Sequence, residues 1–167
     1  MKSPIGDLPV IFIDGRVFST DAYDRGMGRY VRFLMEKVSE AGFHLGVILY
    51  KNSRLSASEF PVSACKYSES IDFDPAVTDE REMHHSSFAI EEVLSKYKAA
   101  AFIDATPFVF PMRYDVTVCP VIAVAYDLIP LKYSREYQSK VPLIVKEMYR
   151  NGLRRLIKAD FIIHSIF

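Results

Sequence analysis

Short apolar segments recur along the chain and are free of charge until they end. Four of them cover residues 8–13, 45–50, 99–103 and 120–126, and a fifth covers residues 161–163 near the C-terminus. A strand with one solvated face alternates apolar and polar residues, whereas a strand buried on both faces is apolar throughout. The first four segments therefore predict buried strands of a parallel sheet, and the fifth predicts a further strand.

The stretches between these segments have the period of amphipathic helices. The first predicted helix ends before Gly42, which occupies the position expected for a C-cap, and a second is predicted after Ser86 or Ser87, either of which is a suitable N-cap. A third precedes the last apolar segment. The apolar positions that define the three helices are Met27, Tyr30, Val31, Leu34 and Val38; Ile90, Leu94 and Tyr97; and Val145, Met148, Tyr149, Leu153 and Leu156.

Strands that alternate with helices indicate βαβ units. We therefore predict an α/β fold with three layers, a doubly wound and mainly parallel sheet, in a single Rossmann-like domain that covers residues 1–167. Two polar stretches interrupt the alternation, residues 51–60 and Ser68–His85, and we interpret both as surface loops. A short strand is predicted between them, at Val62–Lys66.

Composition excludes several classes of protein. Half of the 167 residues are hydrophobic, and the 21 basic side chains balance 21 acidic ones, so no excess of positive charge favours nucleic acid. Cys65 and Cys119 lie in apolar contexts and are expected to be reduced. The longest uncharged run, residues 116–126, is shorter than the ~20 residues that span a bilayer. A cytoplasmic protein is the prediction.

The residues that follow the first predicted strand are candidates for a ligand site, because ligands of open parallel sheets bind beyond the carboxyl ends of the strands. Asp14 ends this strand, and Gly26, Gly28 and Arg29 begin the helix that follows. Glycines at a helix N-terminus let an anion such as phosphate approach backbone N–H groups. The alternative is that they only form a tight strand-to-helix turn.

A dinucleotide-binding fingerprint is not present in this segment. The fingerprint needs a third glycine three positions after the second, where this chain has Val31, and an acidic residue at the end of the second strand, where it has Lys51. A nicotinamide cofactor is therefore not expected.

Two further aspartates follow predicted strands. Asp127 comes directly after Tyr126, and its carboxylate is suited to accept hydrogen bonds from sugar hydroxyls or to orient a nucleophilic hydroxyl; the alternative is that it caps a turn continued by Pro130. Asp104 and Thr106 follow the strand at residues 99–103, and we interpret both as bonding to local backbone.

Three segments together resemble the N-terminal domain of retaining glycosyltransferases of the GT-B fold, glycosyltransferase family 4-like (group 1). The first is Phe-Ile-Asp-Gly-Arg at residues 12–16 with Gly-Met-Gly-Arg-Tyr at residues 26–30. The second, Tyr-Asp-Leu-Ile-Pro-Leu at residues 126–131, is similar to the segment at the interdomain cleft. The third, residues 154–165, is similar to the helix and strand that close the first domain.

The resemblance implies an enzyme of bacterial cell-surface polysaccharide or lipopolysaccharide synthesis. Such an enzyme transfers a sugar from a nucleotide-sugar donor to a saccharide or lipid-linked acceptor with retained configuration. The implied catalytic residue is Asp127, and the implied residues that bind acceptor or donor phosphate are Gly26, Gly28, Arg29, Tyr126 and Asp14.

The chain departs from the family in two respects. Many relatives have His-Asp at the position of Tyr126 and Asp127, so a role that needs an imidazole is not expected here. Relatives also continue into a domain that binds the donor, which this chain is expected to lack, so the isolated domain is expected to be inactive. No cofactor and no metal are expected, because His84 and His85 are adjacent rather than at ligand spacing.

The third predicted helix carries a basic stripe formed by Lys146, Arg150, Arg154 and Lys158. One interpretation is peripheral contact with the anionic inner face of a membrane; the alternative is a solvated helix face. A second function class also stays open, namely a non-catalytic α/β module that binds a sugar or phosphate. A hydrolase is not favoured, since the chain has no Gly-x-Ser-x-Gly segment.

Overall fold

The computed structural model of the protein describes residues 8–51, 53, 65–72, 80–108, 115–126 and 141–164, without the side chains of residues 80–85 and 144. Within these residues, six strands form one parallel sheet, accompanied by three α-helices and a short 3-10 helix. The elements in chain order are β1 (Val10–Asp14), the 3-10 helix (Arg16–Ser19), α1 (Gly26–Glu40), β2 (His44–Tyr50), β3 (Cys65–Ile71), α2 (Glu80–Lys96), β4 (Ala101–Asp104), β5 (Val121–Ala125), α3 (Leu143–Lys158) and β6 (Phe161–His164).

The strand order across the sheet is β3-β2-β1-β4-β5-β6, and every neighbouring pair is parallel. The chain moves outward from β1 to β3, then crosses to the other side of β1 and moves outward again to β6. This order is that of Rossmann-like sheets. The direction in which successive strands are added to the sheet reverses between β1 and β4. The predicted doubly wound α/β fold is confirmed.

The central strands hold the core. Phe12, Ile13 and Phe102 are almost completely buried, as are the residues of β2 after His44. Gly46 of β2 is needed for this packing, because a β-carbon there would lie 2.6 Å from the ring of Phe12. The apolar runs that predicted β1, β2, β4, β5 and β6 all correspond to observed strands.

The predicted end of α1 is also confirmed. Gly42 has a φ of +81°, and its N–H donates to Ser39 while the N–H of Phe43 donates to Val38. These two bonds form a Schellman motif, which satisfies the carbonyl groups that a helix end leaves unpaired.

Two predictions in the middle of the chain are wrong. The strand expected at Val62–Lys66 lies at Cys65–Ile71, and α2 begins at Glu80, so Ser68–His85 is not one loop. Ser86 and Ser87 are buried inside α2 and do not begin it. The position of β3 was predicted wrongly because β3 is an edge strand whose residues alternate in burial, unlike the central apolar runs. The loop predicted at residues 51–60 lies almost wholly outside the described residues.

Candidate active site

The chain turns sharply after β1, and Gly15 makes this turn possible. Its N–H donates to the carbonyl oxygen of Ile48 at 2.8 Å, which ties the turn to β2. A β-carbon at Gly15 would lie 2.7 Å from Val47 and 3.0 Å from the Ile48 carbonyl oxygen. Only glycine fits this close approach, and the turn directs Arg16 back over the end of β1.

Asp14 and Arg16 form an ion pair that is completely buried. The Arg16 Nε donates to Asp14 Oδ1 at 2.8 Å and its Nη2 donates to Oδ2 at 2.7 Å, while the backbone N–H of Arg16 also reaches Oδ1 at 3.0 Å. Burial alone would raise the pKa of Asp14, but the guanidinium charge and these bonds outweigh it and hold that pKa below its ordinary value.

The ion pair also changes the surroundings of Tyr50 at the end of β2. The guanidinium of Arg16 lies 3.4 Å from the Tyr50 hydroxyl oxygen, within hydrogen-bonding distance. Burial nevertheless raises the pKa of Tyr50 to about 12, with Arg16 acting in the opposite direction. Tyr50 therefore remains a neutral phenol beside the pair.

A second buried ion pair lies at the end of β4. Asp104 Oδ2 contacts Nη2 of Arg155, a residue of α3, and Nη1 of Arg155 donates to the Pro107 carbonyl oxygen at 3.1 Å. Burial raises the pKa of Asp104, and the charge of Arg155 only partly opposes this. Among the described residues, Asp104 Oδ1 has no hydrogen-bond partner.

Thr106 links the chain that follows β4 to the Asp14–Arg16 pair. Its buried hydroxyl donates to Asp14 Oδ2 at 3.1 Å across the gap between β1 and β4. The interpretation that Asp104 and Thr106 bond to local backbone is therefore wrong, because both side chains reach across to other elements. We name the buried charge cluster after its five residues: Asp14, Arg16, Asp104, Thr106 and Arg155. It lies at the ends of β1 and β4, between which the order of strand addition reverses.

Asp14 was predicted to bind acceptor or donor phosphate, but its side chain has no exposed surface. Each of its carboxylate oxygens already accepts hydrogen bonds from Arg16, and one accepts from Thr106 as well. The Asp14 carboxylate is thus enclosed at the end of β1 and bonded within the chain, and its role in binding acceptor or donor phosphate stays a prediction.

The predicted phosphate-binding residues lie at the start of α1. The N–H of Gly28 donates to Ala22 at 3.2 Å and that of Arg29 donates to Arg25 at 3.0 Å, so both are used within the chain. A β-carbon at Gly28 would lie 2.0 Å from the Tyr23 carbonyl oxygen. This geometry favours the tight-turn alternative for Gly28, and an anion contact through its N–H is not supported.

Gly26 and the side chain of Arg29 differ from Gly28. A β-carbon at Gly26 would meet nothing within 4 Å, so no neighbouring atoms cover the N-terminus of α1 at this residue. The exposed Arg29 side chain donates through Nε to the carbonyl oxygen of Asp24 at 3.0 Å. Their roles in binding phosphate stay predictions.

Tyr126 lies against the first turn of α1. Its ring packs edge-on to the ring of Tyr30, with centroids 5.1 Å apart. Burial raises the pKa of Tyr126, and Tyr30, Asp14 and Asp104 add smaller contributions in the same direction. The predicted catalytic residue, Asp127, is the next residue along the chain and lies outside the described residues. The structure thus brings the glycine-containing helix start beside the residue that precedes Asp127.

The predicted basic stripe on α3 is partly neutralised. Asp115 accepts from Arg154 at 2.8 Å and from Lys158 at 2.6 Å. The residue that the sequence analysis missed is Arg155, which points to the sheet rather than to solvent. A signal for it existed, because Arg155 adjoins the apolar position Leu156 and lies one helical turn after Gly152, and both of these are buried.

Gly152 brings α3 close to the chain that follows β4. A β-carbon there would lie 2.4 Å from the ring of Phe108 and 2.8 Å from the Pro107 carbonyl oxygen. The rings of Phe108 and Tyr149 also stack, with centroids 4.9 Å apart. This close contact is what allows Arg155 to reach both Pro107 and Asp104.

Within the described ranges, no three side chains of His, Cys, Asp or Glu are arranged to hold a metal ion. None of the helices described here combines the length and the apolar character that a membrane span requires. No known protein-family model matches the sequence, and no curated protein matches it significantly.

Proposed function

We propose that this chain is the acceptor-side domain of a retaining glycosyltransferase of the GT-B type. The observation that carries the proposal is the contact between Tyr30 and Tyr126. This contact brings the Gly26–Tyr30 segment next to Tyr126, the residue that follows β5 and precedes Asp127 in the sequence. These are two of the three segments that resemble the family, and the cleft of such an enzyme requires them to be neighbours.

The chemistry of the crevice is consistent with sugar binding. In Rossmann-like sheets the ligand lies beyond the carboxyl ends of the strands near the reversal point. Tyr126 offers an aromatic ring, and Asp127 offers a carboxylate for sugar hydroxyls. The charges beneath them are two Asp–Arg pairs with no net charge, so they support the crevice without attracting ions into it.

In the proposed reaction, the acceptor hydroxyl oxygen bonds to the anomeric carbon while the bond to the nucleoside diphosphate breaks. The hydroxyl proton leaves with the diphosphate. Stabilising the negative charge on that leaving group is expected to be the largest contribution to catalysis. We assign this role mainly to the donor-binding domain and the recognition of the acceptor to this chain, in bacterial cell-surface polysaccharide or lipopolysaccharide synthesis.

Acceptor binding by the 167-residue chain is therefore the step to measure. Saturation-transfer NMR with a panel of mono- and disaccharides should show contact, and the resonances of Tyr126 and Tyr30 should shift. Asp127→Asn should weaken the binding at least several-fold without changing the thermal unfolding. Asp72→Asn is the matched control, because Asp72 is exposed and paired with Lys51 on the far side of β2 from β1.

Equal binding by Asp127→Asn and by the unaltered chain would contradict the proposed role of Asp127. Binding of saccharides to residues far from Tyr126 would contradict the whole proposal. Binding at Tyr126 combined with no sugar transfer, when a donor-binding domain is supplied, would favour the non-catalytic module instead.

A lipid-linked acceptor would be helped by contact with an anionic membrane. Asp115 already neutralises Arg154 and Lys158, so in the described part of the chain only Lys146 and Arg150 remain of the stripe without a described ion pair. At about 1 kcal/mol per basic residue near the surface, we expect weak sedimentation with anionic liposomes. Asp115→Asn should increase it, and no sedimentation of either protein would exclude the membrane contact.

A further inference from the structure

The strand β6 forms one edge of the sheet within the described part of the chain, and its surface is apolar. Phe161 and Ile162 are 63% and 56% exposed, and Ile157, near the end of α3, is 82% exposed. An edge strand presents backbone N–H and C=O groups that can pair with a further strand, and natural proteins protect such edges with charged residues or proline. The sequence of β6, Phe-Ile-Ile-His, contains no acidic residue, lysine, arginine or proline. β6 is therefore an unprotected edge.

The opposite edge of the sheet, β3, differs in this respect. Its residues alternate in burial and include Lys66 and Glu69. Glu69 accepts from Lys96 at 2.7 Å and also contacts the hydroxyl of Tyr97. Charged side chains along an edge disfavour the approach of a second sheet, so β6 is the edge suited to association.

The hydrogen bonds between β5 and β6 show which backbone groups of β6 point outward. The Val121 N–H donates to Asp160 Oδ2 at 2.8 Å, and the Val121 carbonyl oxygen accepts from the Asp160 N–H at 3.0 Å, so the backbone groups of Val121 point to β6. Alternate residues of a strand point the same way, so those of Ala123 do too. Ala123 lies opposite Ile162 and bonds to the residues on either side of it, as parallel pairing requires. The N–H and C=O groups of Ile162 and His164 therefore point away from the sheet.

We propose that β6 pairs with β6 of a second copy of this chain, antiparallel and about a two-fold axis at Ile162. In this register Ile162 faces its own copy, and Phe161 faces Ile163 of the second copy. His164 faces Asp160 of the second copy. Side chains directly opposite each other in an antiparallel pair lie about 4.5–5.5 Å apart, so the pairing joins apolar side chains and sets an imidazole against a carboxylate.

Charge complementarity is what selects a second copy as the occupant. Asp160 is exposed and Val121 engages its Oδ2, which leaves Oδ1 to accept a hydrogen bond from an imidazole. A two-fold axis satisfies this contact twice, because each copy supplies one His164 and one Asp160. Moving the axis to Ile163 would place His164 opposite Ile162 and remove both contacts. The inference is independent of the proposed function, because it rests only on the edge of the sheet.

Sedimentation equilibrium of the 167-residue chain tests the association. Stable interfaces bury about 800 Å² per partner, and a four-residue edge is shorter than such an interface, so we expect a weak dimer with a Kd of about 10 μM to 1 mM. Ile162→Lys places two like charges opposite each other and should weaken the dimer about ten-fold or more without changing the thermal unfolding of the monomer. Phe88→Lys is the matched control, because Phe88 of α2 is 60% exposed, and it should leave the Kd unchanged.

Two substitutions of His164 test the charge contact. His164→Arg fixes a positive charge opposite Asp160 of the second copy and should lower the Kd, whereas His164→Glu opposes two negative charges and should raise it. The same Kd for both variants would contradict the proposed register.

Cross-linking tests the position of the two-fold axis. Ile162→Cys should give a disulfide-linked dimer on oxidation, because Cα atoms across a hydrogen-bonded pair lie about 5.5 Å apart, within the range of a disulfide. Phe161→Cys is the matched control and should cross-link much less, because its own copy lies diagonally, beyond about 7 Å. The unaltered chain, with Cys65 and Cys119, gives the background.

Equal cross-linking of Ile162→Cys and Phe161→Cys would overturn the proposal. A chain that stays monomeric up to about 1 mM would also overturn it, and would leave the β6 edge to a strand of another protein.

Discussion

The carboxyl ends of β1 and β4 carry the same pair of charges but stabilise them in different ways. Asp14 and Arg16 are two residues apart, and the turn at Gly15 is enough to bring them together. Asp104 has no basic residue nearby in sequence, and its partner is Arg155 on α3. Both carboxylates are buried, yet the pKa of Asp14 is lowered while that of Asp104 is raised.

Burial raises the pKa of both carboxylates, and the difference lies in the partners: the charge and hydrogen bonds of Arg16 outweigh burial at Asp14, whereas the charge of Arg155 does not outweigh it at Asp104. Asp14 accepts from two side-chain nitrogens, one backbone N–H and one hydroxyl, whereas Asp104 has a described partner on only one oxygen. An ion pair formed within one turn can receive a further hydrogen bond from the backbone of that turn. An ion pair formed between distant elements receives only the hydrogen bonds that the packing of those elements allows.

The largest effect is expected from removing either arginine. Arg155→Leu and Arg16→Leu each leave a buried carboxylate without its charged partner, and breaking such a pair costs about 3–5 kcal/mol. Urea unfolding at neutral pH measures the loss. The defect of Arg155→Leu should shrink as the pH is lowered, because the raised pKa of Asp104 lets its carboxylate take up a proton more readily than Asp14 does.

Arg154→Leu is the control for this prediction, one position earlier on the same helix. Arg154 is one-third exposed and pairs with Asp115, so its loss should cost less than about 1 kcal/mol. Equal losses of unfolding free energy for Arg154→Leu and Arg155→Leu would show that the buried ion pair contributes no more to stability than the exposed one.

The next effect concerns the hydroxyl that joins the two ends. Thr106→Val keeps the shape of the side chain but removes the hydrogen bond to Asp14, and bonds to charged groups contribute about 1.5–3 kcal/mol. The variant should unfold at lower urea concentration, and the pKa of Asp14 should rise. An unchanged pKa would indicate that Arg16 alone sets the ionisation of Asp14.

Packing at the β4 end is tested by Gly152→Ala. The added methyl group would meet Phe108 and Pro107, and such overpacking typically costs about 1–3 kcal/mol. Gly26→Ala is the matched control, because nothing lies within 4 Å of its β-carbon, and it should be neutral or slightly stabilising. Thermal unfolding of both variants measures the contrast, and similar losses would contradict the close approach of α3.

The smallest effect is the opposite dependence of the two ends on pH. The pKa of Asp14 is lowered from 3.8, so its contribution to stability is present above that value and is lost as pH falls through the folded pKa. The pKa of Asp104 is raised from 3.8, so the folded protein binds this proton more tightly and stability decreases as pH rises through the folded pKa. Carboxyl-carbon NMR titrations should give pKa values for the two residues on opposite sides of 3.8. Shifts of both pKa values in the same direction would contradict the comparison.

Much of the fold could be predicted because it depends on local patterns. Apolar runs place the central strands, since a strand covered on both faces has no solvated position for a polar residue. The helical period places α1 and α3, and Gly42 ends α1 because glycine adopts a positive φ at low cost. β3 was misplaced because an edge strand has a solvated face and hence a mixed pattern.

Less of the candidate site could be predicted. Asp14, Asp104 and Tyr126 were recognised as the residues that follow strands, and the order of the chain alone was sufficient for that. Their partners were not, because a hydrogen bond between Thr106 and Asp14, or between Arg155 and Pro107, depends on distances between separate elements. Arg154 and Arg155 are neighbours in sequence, and only the orientation of α3 makes one a surface cation and the other a buried one.

The sequence by itself thus determined the alternation of strands and helices and the positions where strands end, because these follow from the interaction of each segment with water. Only the tertiary structure decided which of these end residues are buried and which donors reach them. Asp14 was expected to face a ligand and is instead buried under Thr106 and Arg16, since the charge of a buried carboxylate must be compensated by whichever donors the packed elements bring within reach.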